Sequence, residues 1–255
     1  MLPSTAKAAL AAAALLALPG LHAQARRVVL QGVIDQPGAY VVPNDMTVVP
    51  SRGAGILITA SGVDLDLAGA NLMGPGGTRG TGIHVRGATG VTIRNGKFAN
   101  LAFGVVVENS ANVTVRSNQF RGEAIPPAAP PPETAIMVLQ SRNVVVDDNQ
   151  IFGTGLGIFV RGSRSQGNRI VNNTLTAGVG FAALGICYNP APGDPGGPRG
   201  DVIEGNSING YPVAIQMNPT SAYNVIKANF LFFTDKAVES PEANQDMDNV
   251  KVRLQ

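Results

Sequence analysis

The sequence predicts an all-β chain wound as a right-handed parallel β-helix, a single-stranded solenoid of about seven to eight coils. Three observations predict it. First, an Asn recurs in one register: "NVTVRSNQF" (112–120), "NVVVDDNQI" (143–151), "NRIVNNTL" (168–175), "DVIEGNSI" (201–208) and "NVIKANFL" (224–231) each follow a short apolar run with an Asn and then a large apolar residue. Second, these residues, Asn118, Asn149, Asn173, Asn206 and Asn229, stand 31, 24, 33 and 23 residues apart. A period in that range belongs to stacked units that share a core none could build alone. Third, 31 Gly, 18 Pro, no Trp and 14% charged residues in 255 suit short strands and tight turns better than long helices.

Residues 1–25 read as a secretory signal. Lys7 precedes the apolar run "AALAAAALLAL" (8–18), and "PGLHAQA" follows with a cut after Ala23 or Ala25. The run is shorter than the roughly 20 residues of a membrane span. Export to the periplasm or the exterior is expected, with no membrane partner after cleavage. The domain then covers 26–255, with first coils at 28–76, repeats at 80–240 and a C-terminal end coil at 241–255. Cys187 is the only cysteine, so no internal disulfide is expected, and burial and backbone pairing must hold an exported fold. In "GICY" it reads as a small packing residue rather than a reactive thiol. A net charge of +2 without a Lys/Arg cluster argues against nucleic acid.

Within each repeat the Asn sits three residues after the last apolar residue of a strand (Val115, Val146, Ile170, Ile203, Ile226) and two before the next core residue (Phe120, Ile151, Leu175, Ile208, Leu231). Upstream, a second apolar pair recurs in "GIHV" (82–85), "GVVV" (104–107), "AIMV" (135–138), "GIFV" (157–160), "GICY" (185–188) and "AIQM" (214–217). Apolar residues at alternate positions are strands with one face turned inward. Coils stacked at about 4.8 Å place the Asn side chains above one another, each amide donating to one neighbour and accepting from the other. Asn also tolerates the left-handed backbone of a tight turn. In "LAGANL" and "RNGKF" Gly is expected to supply that freedom instead. The Asn set reads as structural, not catalytic.

The stretch "GAYVVPNDMTV…GILITASGVDLDLAGANLMG" (38–74), followed by the repeats, resembles the pectate-lyase-like superfamily of secreted right-handed β-helix proteins over roughly residues 28–255. The resemblance implies the fold. It leaves activity open among pectate lyases, polygalacturonases, alginate epimerases, copper-maturation accessory proteins and phage tailspikes. It also implies a substrate groove along the first strand of each coil. Two Pro-rich insertions, "RGEAIPPAAPPPET" (121–134) and "NPAPGDPGGPRG" (189–200), flank that strand as candidate walls.

Alternation turns two columns of that strand outward: His84, Val106, Met137, Phe159, Cys187, Gln216 and Glu239, and beside them Arg86, Glu108, Leu139, Arg161, Asn189 and Asn218. Phe159 and Arg161 offer an aromatic platform and a charged donor for a sugar ring, with Met137, Asn189, Gln216 and Asn218 as further ligand contacts. Glycoside hydrolysis needs two carboxylates about 5–9.5 Å apart, whereas Glu108 and Glu239 are separated by five coils. Asp147-Asp148 lies in the Asn turn, away from this face and outside a polygalacturonase-like context. A calcium-dependent lyase would need clustered acids near an Arg base, and no such cluster accompanies Arg161. No cofactor and no metal site are expected.

The reading that follows is an exported, non-catalytic scaffold that binds a polysaccharide or a partner surface along its first strands. The alternative is a lyase or epimerase acting on an acidic polysaccharide through Arg161, Glu108 and His84. An assembly module stacking through open coil ends is a third class.

Overall fold

The computed structural model describes residues 26–29, 32–43, 47–48, 53–74, 80–122, 133–178 and 184–254. The expected signal (1–25) and most of the first Pro-rich insertion lie outside the described residues. Every described element is a strand, and every strand pairing is parallel. The coil Phe103–Arg121 sets the pattern, with a first strand at Phe103–Glu108, a second at Ala111–Arg116 and a third at Gln119–Arg121. Second strands of successive coils stack into a ten-stranded sheet, and first and third strands belong to one of sixteen. Those two ranks join through the long strands Ser207–Met217 and Phe230–Glu239, which run from third-strand into first-strand position.

The alternation that predicts the strands also builds the core. Ile83, Val105, Ile136, Ile158, Ile186 and Ile215 follow one another in register, all fully buried. Phe98 and Phe120 stack with ring centroids 4.7 Å apart in the third-strand column. Each such side chain contributes about 1.5–3 kcal/mol on burial, and many coils repeat it, so the chain is held without a disulfide. The Gly of the "GIxV" motif has a steric cause. A Cβ at Gly82, Gly104, Gly157 or Gly185 would lie 2.4–2.6 Å from a carbonyl oxygen of the next coil.

The Asn side chains form a continuous hydrogen-bonded column. The Nδ2 of Asn118, Asn149, Asn173 and Asn206 donates to the Oδ1 of the next Asn at 3.0–3.1 Å, and the column continues from Asn229 to Asn249 at 2.8 Å. Each Oδ1 also accepts the backbone N–H of the Asn before it. The expected backbone differs in one respect. The left-handed residue is the one preceding each Asn, namely Ser117, Asp148, Asn172, Gly205, Ala228 and Asp248. That residue turns the chain outward, and the following Asn tucks its amide beneath the turn. Gly96 is likewise present for space: a Cβ there would meet Leu67 Cδ1 at 2.2 Å.

A second buried column runs at the start of the second strands. It is aliphatic at Val91, Val113 and Val144, then polar at Asn168, Asp201 and Asn224, and it ends at the half-buried Asn244. In the last described coil, Asp246 and Lys251 stand in register with the core residues Ile226 and Leu231, and their side chains pair at 2.6 Å. An ion pair at these inward positions makes the layer of that coil charged rather than apolar. That chemistry disfavours apolar stacking at this end.

Candidate functional site

Strand pairing places the two columns expected to face outward in the expected register, although Val106 and Cys187 within them are buried. His84, Val106, Met137, Phe159, Cys187, Gln216 and Glu239 are successive Cα partners, and so are Arg86, Glu108, Leu139, Arg161 and Asn189. The side chains engage one another along the face. His84 Nε2 lies 2.8 Å from Glu108 Oε2. The Arg161 guanidinium covers the Phe159 ring at 5.0 Å and donates to Pro190 O at 3.4 Å, while its Nε is buried without a partner. Asn189 Nδ2 donates to Cys187 Sγ at 3.3 Å, and Gln216 Nε2 donates to Glu239 Oε2 at 2.8 Å. Lys236 closes this row on Glu239 at 2.7 Å.

Cys187 is 1% exposed, and burial pushes its thiol up to about 12 against the opposing charge of Arg161. A thiol in that state is protonated and unreactive at neutral pH. Asn189, Gln216, Asn218 and Glu239 line a shallow cavity of about 360 Å³ at the C-terminal end of the face. One edge is fixed by the second Pro-rich insertion. Asp194 accepts from Gln140 Nε2 at 2.9 Å and from the backbone N–H and hydroxyl of Ser163, each at 2.8 Å. Those bonds to the carboxylate hold its pKa well below the usual range, the Ser163 backbone bond contributing most. The loop is thus tied across two preceding turns. The other proposed wall, residues 123–132, lies outside the described residues.

The pair Asp147-Asp148 sits on the Asn-turn side, Asp147 accepting from Asn172 and Asp148 from Ser117, away from the first-strand face. Among the described residues no group of three or more His, Cys, Asp or Glu side chains is placed to hold a metal.

Two features escaped the sequence reading. Beneath the face, Asp201 is fully buried, accepts from Asn168 N and Nδ2 at 2.8 and 3.1 Å, and is faced by the buried Tyr188 hydroxyl. Burial raises its pKa to about 6 despite the Asn168 bonds. The other is a groove of about 690 Å³ along the third strands, lined by residues including Lys97, Gln119, Arg121, Gln150 and Phe152. Its signal in the sequence is a polar residue beside each single core residue, as in "KFA", "QFR" and "QIF".

A family profile described as "Right handed beta helix region" matches residues 54–231. The chain belongs to the right-handed β-helix family. No sequence among the curated proteins matches it. Among solved structures, the fold is similar to an alginate lyase from Paenibacillus sp. str. FPU-7, at 15% identity over 86% of this chain and 94% of that one, with a TM-score of 0.56. It is also similar to the periplasmic alginate epimerase AlgG, at 17% identity and a TM-score of 0.53 over 85% of this chain but only 45% of that one. The Streptococcus pneumoniae surface protein and adhesin PfbA is 12% identical over 91% and 88% of the two chains, with a TM-score of 0.54. Likeness at these identities extends to the fold alone, and that fold occurs in both enzymes and an adhesin.

Proposed function

We propose that this chain is an exported polysaccharide-binding β-helix that holds a glycan along its first-strand face without cleaving it. One observation carries the reading. Arg161, fixed over Phe159, adjoins Asn189, which with Gln216 and Asn218 lines one cavity at coil spacing. An aromatic ring with a locked guanidinium and a row of amides is suited to stacking on sugars and bonding their hydroxyls at small entropic cost. Both carboxylates of the face already have partners, Glu108 with His84 and Glu239 with Lys236 and Gln216. At about 4.8 Å per coil they lie roughly 24 Å apart, too far to act as a hydrolytic pair. The signal-like segment 1–25 supports export to the periplasm or beyond.

The His84–Glu108 contact favours a second reading, a lyase or epimerase acting on an acidic polysaccharide, with that pair exchanging a proton and Arg161 neutralising a carboxylate. Arg161 stands two coils from Glu108, about 10 Å along the column, which is long for one sugar ring. Incubation with polygalacturonate and alginate separates the readings. Retardation in an affinity gel with neither ultraviolet absorbance from unsaturated product nor a changed uronate epimer ratio by proton NMR supports binding, and accumulating absorbance or a shifted ratio supports the lyase or the epimerase.

A further inference from the structure

The third strands carry a second, separate surface. Their side chains flank single core residues on both sides, so that Lys97, Gln119, Gln150 and Thr174 follow one another in register along one flank. Arg121 and Phe152 are neighbours on the other flank, with the guanidinium 5.9 Å from the ring centroid. The groove of about 690 Å³ they line falls within the size of a small-ligand site, commonly about 300–1,000 Å³.

Three properties define what it would take. Phe152 is 48% exposed, a costly position for an aromatic ring unless something covers it. Lys97 and Arg121 are exposed, and no carboxylate occurs among the described lining residues. Glu133, further along the chain, is buried and packs beneath Gly122. The amides of Gln119 and Gln150 and the hydroxyl of Thr174 are exposed and form no hydrogen bond among the described residues, unlike the amides of the first-strand face. Repetition of these groups at the coil spacing of about 4.8 Å matches an extended polymer of similar repeat better than a compact ligand.

We propose that the third-strand groove binds an extended acidic oligosaccharide. Phe152 stacks on a sugar ring, Lys97 and Arg121 pair with its carboxylates, and Gln119, Gln150 and Thr174 bond its hydroxyls. This site is distinct from the first-strand face and does not depend on it.

The test is calorimetric titration of the full chain with a galacturonic acid hexamer and, as the neutral control, cellohexaose. Phe152→Ala and the double variant Lys97→Gln, Arg121→Gln are compared with Phe159→Ala. The inference predicts binding of the acidic hexamer alone, weakened about tenfold or more by either third-strand change, with the charge effect shrinking as salt rises. Melting temperatures of the third-strand variants should match wild type, because all three residues are exposed. Several results overturn it: no binding of the acidic hexamer, equal binding of cellohexaose, or unchanged affinity in both third-strand variants. Loss of binding in Phe159→Ala alone would place the glycan on the first-strand face and also overturn it. Loss in the third-strand variants alone would sustain this inference while removing support from the first-strand reading.

Discussion

The two outward faces of the solenoid differ in how their side chains are occupied. On the first-strand face the polar groups bond one another: His84 with Glu108, Asn189 with Cys187, and Gln216 with Glu239 and onward to Lys236. On the third-strand face Lys97, Gln119 and Gln150 are exposed and the apolar surface of Phe152 is half open. The contrast teaches that one scaffold presents its outward side chains in two ways. The first-strand face is preorganised, so its residues should affect stability as well as binding. Apart from Arg121 over the Phe152 ring, the polar side chains of the third-strand face are unengaged, so its residues should affect binding far more than stability.

The largest expected effect sharpens this contrast through pH. Asp201 lies under the first-strand face beside Tyr188. Its folded-state pKa is raised from 3.8 to about 6, so its contribution is fully present below pH 4 and is lost as pH rises through about 6. The loss amounts to about 3 kcal/mol by pH 8. Asp201→Asn puts an amide into a column already formed by Asn168, Asn224 and Asn244. The variant should be more stable than wild type at pH 8 and differ little at pH 4. Denaturant midpoints at the two pH values check this, and equal pH dependence in both proteins would contradict the assignment.

A scaffold change beneath both faces comes next. Asn173→Ala removes an amide that donates to Val146 O, Val171 O and Asn206 Oδ1 and accepts from Asn149 N and Nδ2, leaving buried donors of the neighbouring coil without their acceptor at a cost of about 2–3 kcal/mol. Asn229, which the sequence makes the last member, is fully buried and continues to Asn249. Asn229→Ala should therefore cost about as much as Asn173→Ala, and chemical denaturation of both variants measures it. Smaller effects distinguish the faces directly. Phe159→Ala strips the ring beneath Arg161 and should cost about 1–2 kcal/mol of stability. Phe152→Ala should stay within about 0.5 kcal/mol of wild type. Equal thermal shifts in the two variants would erase the proposed difference between the faces.

Much of the scaffold was legible because its chemistry repeats. Alternation gave the first-strand columns from His84 to Glu239, and the Asn spacing gave the turn. What repetition does not encode was missed. The left-handed residue before each Asn varies among Ser, Asp, Asn, Gly and Ala, so no single residue type marks it. Asn168, Asp201 and Asn224 replace Val at equivalent positions, and a local pattern does not show that such polar residues are buried until the coils are stacked. Third strands of three residues are too short for alternation to reveal an outward face, so the polar residue beside each core residue pointed to no groove until the coils were stacked. The reading of Glu108, His84 and Arg161 depended on distances across coils, which the sequence supplies only as multiples of the coil spacing.

The most direct measurement of the central claim is titration of the full chain with uronic-acid oligomers while unsaturated product is followed by ultraviolet absorbance. Binding without product is expected, with Phe159→Ala and Arg161→Ala each weakening affinity about five- to thirtyfold. Turnover by wild type that disappears in His84→Ala and Glu108→Ala would contradict the account and establish catalysis on the same face.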